Sequence, residues 1–132
     1  MTNGACHTKR ILIVEDDETT AELIEMVLNG EGNYHAVAAH NSQPALEMVR
    51  SFQPHLILMD VRLPGIDGAH LYDIISRNEV TCPIPVAFMT ASYNHPELAR
   101  RNIIDYLLKP FNLDELLGFV ARKLDEHAVP QA

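Results

Sequence analysis

The chain has 132 residues, room for one compact domain and little more. It carries 18 acidic against 10 basic side chains, a formal charge of −8. That balance argues against a nucleic-acid binder, which needs surplus Lys and Arg to displace phosphate counterions. Hydrophobic residues make up 47% of the chain, enough for one core between layers of secondary structure, yet the longest apolar runs are too short to span a bilayer.

Residues 1–10 are polar and the apolar run after them stops at Val14, so nothing there reads as a secretory signal. Cys6 and Cys82 show neither metal-ligand spacing nor a disulfide framework. The expectation is a soluble cytoplasmic protein with free thiols and no membrane association, its domain spanning 9–127 between flexible ends at 1–8 and 128–132.

Taken in order, residues 11–14 (Ile-Leu-Ile-Val) read as a buried strand ended by the acids at 15–18. A helix follows with Leu23, Ile24, Val27 and Leu28 as its apolar stripe, closed by Gly30 and Gly32. Residues 34–39 form the second strand. Asn41 or Ser42 caps the next helix, which carries Ala45, Leu46, Val49 and Phe52 and tolerates Pro44 in its first turn. Residues 55–60 are the clearest strand, running into Asp60. Asp67 can cap a third helix with Leu71, Ile74 and Ile75 inward. Pro83 and Pro85 introduce a fourth strand at 86–90. A short helix follows Pro96, then a fifth strand from Ile103 or Ile104 to Leu108. Asn112 and Glu115 suit a reciprocal cap for the last helix, whose apolar set is Leu113, Leu116, Leu117, Val120 and Leu124.

Five strand–helix repeats with buried strands imply a parallel sheet covered on both faces, a three-layer α/β/α sandwich. Ligands of such sheets bind beyond the carboxyl ends of the strands. There the first strand ends in Glu15 and Asp16, the third in Asp60, the fourth in Thr90 and the fifth in Lys109. Three carboxylates brought together repel, and a hard divalent cation relieves them. Lys109 and Thr90 suit phosphate oxygens, and an Asp carboxylate can itself act as a nucleophile. The set describes an aspartyl-phosphate site.

The segments 11–17, 56–68, 89–91 and 105–111 together resemble the receiver domain of bacterial response regulators, the chemotaxis-regulator-like domain of two-component signalling. They run in family order over roughly 9–126, and the four together are highly specific. The resemblance, and not the strand pattern itself, implies a flavodoxin-like sheet of order 2-1-3-4-5. It implies Asp60 as the phosphoacceptor. Mg²⁺ would be held by Asp16, Asp60, the backbone carbonyl of Arg62 and, through water, Glu15. Three acids follow Val14, and alignment on the strand leaves Asp17 outside. Thr90 and Lys109 would bind phosphoryl oxygens, with Ala91 small enough to leave the path open. Thr90 and Tyr106 would form the switch, although Tyr106 reads equally as a half-buried core residue. Lys109-Pro110 would be a cis peptide.

Two departures stand out. The interval from Thr90 to Lys109 is a few residues shorter than the family pattern, and Asn102-Ile103 replaces its usual Gly-Ala. Asn102 can take the left-handed conformation a helix end wants, so the fourth helix should be short or irregular. The seven histidines show no ligand pair within a helix and read as surface or core-edge residues, and Cys82 as a small apolar filler.

The implied function is acceptance of a phosphoryl group from a sensor histidine kinase or phosphotransfer protein, followed by a conformational switch. The chain would be no enzyme beyond promoting its own phosphorylation and slow hydrolysis. The downstream partner is expected at the face of the fourth helix, fifth strand and last helix, on a monomer or weak dimer. It reads as stand-alone, the alternatives being an excised receiver of a longer regulator or a non-phosphorylated binding module. A phosphatase of the haloacid-dehalogenase type needs a second Asp where Arg62 stands, and a nucleotide-binding enzyme a Gly-rich loop where the acids stand.

Overall fold

Alternating strands and helices run through the computed structural model, which describes residues 8–126. The order is β1 (Lys9–Val14), α1 (Glu18–Gly30), β2 (Tyr34–Ala39), α2 (Ser42–Phe52), β3 (Leu56–Asp60), α3 (Gly68–Arg77), β4 (Val86–Thr90), α4 (Pro96–Ala99), β5 (Tyr106–Leu108) and α5 (Leu113–Glu126). The five strands form one parallel sheet of order β2-β1-β3-β4-β5, so the expected three-layer architecture and strand order are both present. Residues 1–7 and 127–132, including most of the ends expected to be flexible and Cys6, lie outside the described residues. Among the described residues, no helix is long and apolar enough to cross a membrane.

The side-chain period of two explains why the central strands are apolar throughout. Leu12, Val14, Ile57, Met59 and Phe88 point to one face, packing with Ala45 and Val49 of α2 and Leu71 and Ile75 of α3. Ile11, Ile13, Leu56, Leu58 and Met89 point to the other, against Ile24 and Leu28 of α1 and Leu116, Phe119 and Val120 of α5. Each fully buried large side chain contributes roughly 1.5–3 kcal/mol, so the two half-cores dominate stability.

Helix starts follow the side-chain oxygens that satisfy their free N–H groups. Asp17 accepts from Thr20 N at 3.0 Å, Asn41 from Gln43 N at 3.2 Å and Asp67 from His70 N at 3.0 Å. At α5 the reciprocal cap forms: Glu115 N donates to Asn112 at 2.8 Å and Asn112 N to Glu115 at 2.9 Å. On the edge strand β2, the Asn29 amide accepts from Ala36 N at 2.8 Å and donates to Ala36 O at 3.0 Å.

Several sequence expectations need correction. Leu23, Ile74 and Leu113 are exposed: Leu23 and Ile74 each lie one position around the helix from the stripe that meets the sheet, and Leu113 is the first residue of α5. Phe119 does part of the work expected of Leu113. β5 begins at Tyr106, two or three residues later than expected, because Asn102 turns left-handed (φ 62°) and residues 103–105 run as a connector. Cys82 is exposed, not a core filler.

Candidate functional site

Register brings the polar strand ends level. Val14 lies beside Met59, Asp60 beside Met89 and Thr90 beside Leu108, so Glu15, Asp60, Thr90 and Lys109 emerge together at one rim. Gly68 lets α3 start directly under this rim. A Cβ there would sit 2.5 Å from the Asp60 carbonyl oxygen and 2.9 Å from that of Val61, closer than atoms can approach. Its N–H instead donates to Val61 O at 2.8 Å.

Carboxylate oxygens of Glu15, Asp16 and Asp60 lie within 4.8 Å of one another. Glu15 is 1% exposed and Asp60 8%, while Asp16 faces solvent. Lys109 Nζ donates to Asp60 Oδ2 at 2.6 Å and to Glu15 Oε1. Asp60 Oδ1 accepts from Arg62 N at 2.9 Å, and Glu15 Oε2 from Asp17 N at 3.1 Å. Burial pushes the Glu15 carboxyl up, against the pull of the Lys109 ammonium. Burial works to lower Lys109, but its bonds to Asp60 and Glu15 outweigh that and hold it above its ordinary value. One ammonium cannot balance three carboxylates, and oxygen donors so grouped suit a hard divalent cation. The donor set fits Mg²⁺.

Asp17 stands apart as the α1 cap, its carboxyl held low by the Thr20 hydroxyl and N–H. The Lys109–Pro110 peptide is cis, and Lys109 N donates to Thr90 O at 2.7 Å. Ala91 is exposed beside the rim.

Thr90 is 3% exposed, and its hydroxyl is engaged by the segment that follows β4. It lies 2.6 Å from His95 Nε2 and accepts from Ser92 N at 3.1 Å. Tyr106 is half-buried, with its hydroxyl donating to Tyr93 O at 2.7 Å and its ring edge-on to His95 at 5.6 Å between centroids. His95 is therefore no surface histidine. It is 7% exposed and sits between Thr90 and Tyr106. Its position just ahead of Pro96, with Glu97 two residues on, was the only signal available in the sequence.

A family model described as the response regulator receiver domain matches residues 11–121. DNA-binding response regulator MtrA of Mycolicibacterium smegmatis is 34% identical over 119 residues, 88% of this chain and 50% of that protein. The chain spans about half the length of the curated relatives it matches. Among solved structures, a putative response regulator from Chloroflexus aurantiacus superposes with a TM-score of 0.80 at 34% identity, covering 89% of this chain and 98% of that one. The signal receiver domain of a putative Luxo repressor protein from Vibrio parahaemolyticus gives 0.79 at 30%, covering 91% and 92%.

Proposed function

The chain belongs to the response regulator receiver domain family, and from that premise we propose that Asp60 is its phosphoacceptor. The observation that carries the reading is the meeting of Asp60, Glu15, Asp16 and Lys109 within a few ångströms at one rim. An Asp60 oxygen attacks the phosphorus of a phosphohistidine on a sensor kinase or phosphotransfer protein. The P–O bond to Asp60 forms as the P–N bond breaks, and the departing imidazole keeps the electron pair and takes a proton. Water later attacks the same phosphorus, releasing inorganic phosphate and restoring the carboxylate. Receiver domains are signalling domains, and this self-directed chemistry is all the catalysis proposed.

Lys109, already against Asp60, turns its ammonium to the phosphoryl oxygens, and Thr90 supplies a hydroxyl donor to them. Ala91 leaves that path open. Asp16, Asp60 and the Arg62 carbonyl would hold Mg²⁺, with Glu15 reaching it through water. Bound there, the ion would supply positive charge against the developing phosphoryl negative charge.

Thr90 and Tyr106 are the proposed switch, shifting a population between two conformations. The downstream partner would read the face of α4, β5 and α5, where Tyr93 and Ile104 are exposed. The DNA binding in the relative's name concerns a protein of twice this length, and the −8 charge opposes it in this chain.

Incubation with a small phosphodonor and Mg²⁺ should add one phosphoryl group by intact mass. Asp60→Asn should abolish the addition, and Asp16→Asn should remove most of its Mg²⁺ dependence. A label that persists on another carboxylate in Asp60→Asn would overturn the assignment.

A further inference from the structure

To serve a phosphoryl group on Asp60, Thr90 must give up partners its hydroxyl already has. Its oxygen accepts the Ser92 N–H, and its hydroxyl lies 2.6 Å from His95 Nε2. The other ring nitrogen faces Glu97 Oε1 at 3.2 Å. A carboxylate only accepts, so Nδ1 carries a hydrogen toward Glu97, and Nε2 is hydrogen-bonded to the Thr90 hydroxyl. The chain Glu97–His95–Thr90 is then complete: carboxylate orients imidazole, and imidazole holds hydroxyl. Ser92 O, 3.0 Å from Nε2, further confines the ring. On its far side the ring meets Tyr106 edge-on.

Resting on the phosphoacceptor reading above, we propose that His95 is a positioning residue that latches Thr90 in the unphosphorylated conformation and passes its release to Tyr106. When Thr90 turns to the phosphoryl group, the 2.6 Å bond is given up. The imidazole, still tethered by Glu97, is then free to shift, and the Tyr106 ring packed on it loses its support. Tyr106 in turn loosens its hold on the Tyr93 carbonyl. His95 thus stabilises the resting state and opposes activation until the phosphoryl group outbids it.

The test is the affinity for beryllofluoride with Mg²⁺, which stands in for the phosphoryl group. His95→Ala should bind about threefold to tenfold more tightly than the wild type, the factor that one net hydrogen bond represents. His95→Gln, whose amide can donate to or accept from the same hydroxyl, should stay near the wild type. In a Thr90→Ala background the His95→Ala change should have no effect, because its only route is through that hydroxyl. Glu97→Ala, at the exposed end of the chain, should shift the affinity in the same direction by a smaller factor, and serves if His95→Ala fails to fold. Unchanged or weaker binding in His95→Ala, or a gain that persists without the Thr90 hydroxyl, overturns the latch. A wild-type protein that ignores beryllofluoride would overturn the phosphoacceptor reading instead.

Discussion

The sheet is built unevenly across its width. On one side, β1 and β3 contribute Ile11 to Val14 and Leu56 to Met59, all wholly buried, and α1 and α2 are 13 and 11 residues long. On the other, β5 has 3 residues, α4 has 4, and Leu98 is the buried residue of that helix. The deep side presents Glu15 and Asp60. The shallow side presents Thr90, His95 and Tyr106. The proposed switch, with acids held still and a hydroxyl that moves, is served by this division, because local opening is easiest where few apolar contacts resist it.

The sharpest way to break that comparison is to truncate a side chain on each side. Leu58→Ala should cost the most, about 3–5 kcal/mol, since β3 is sealed by both layers and cannot collapse around the void. Urea unfolding should show a lower midpoint with an unchanged slope. Leu98→Ala should cost less, about 2 kcal/mol, because α4 can settle into the gap. Amide exchange should then quicken over residues 92–104 while β1 and β3 stay protected. Equal costs with uniform exchange would show one cooperative unit and end the distinction.

Arg101→Ala should have the smallest effect. Arg101 ties the end of α4 to α3 through Asp73, with Nε–Oδ1 at 2.8 Å and Nη2–Oδ2 at 2.6 Å. Partly exposed ion pairs are screened, so about 1 kcal/mol at neutral pH is expected. The Arg101 hydrogen bonds hold the Asp73 carboxyl below its ordinary range. Its stabilisation is therefore present above the unfolded-state value and lost as pH falls through the lower folded-state value. Wild type and variant should converge in urea melts near the acid end, and a gap that persisted there would mean Arg101 acts through packing or its bond to the Glu97 carbonyl rather than through Asp73.

The same unevenness decides what was legible in the sequence. The strands at 34–39 and 86–90 and the caps at Asp67 and Asn112 were readable to the residue, and the Asn41 cap to within one, because apolar runs and capping oxygens are local signals. The acids and Lys109 were readable too, since each stands at the end of a strand or just after it. Leu23 and Ile74 misled because a helical stripe fixes a face only to within a residue, and the sheet chooses which edge of it to bury; Leu113 misled because it stands at the very start of its helix. The start of β5 was lost because Ile103 and Ile104 are as apolar as a strand, and only the left-handed turn at Asn102 shows where the chain straightens. His95 escaped notice because its partners are tertiary: Thr90 reaches it only through the fold of residues 91–94, and Tyr106 arrives from another strand.

The Asn29 amide on Ala36 carries a consequence for how the protein meets others. A parallel sheet ends in a row of unmet backbone groups, an invitation for a foreign strand to zip on. Asn29 occupies the N–H and C=O of Ala36 as a neighbouring strand would, and the opposite border is only 3 residues long. Neither margin therefore offers a long uninterrupted row of free backbone for templated growth. That leaves the side chains of the helical and loop surfaces as the more open ground for recognition, in keeping with a partner that reads the proposed switch.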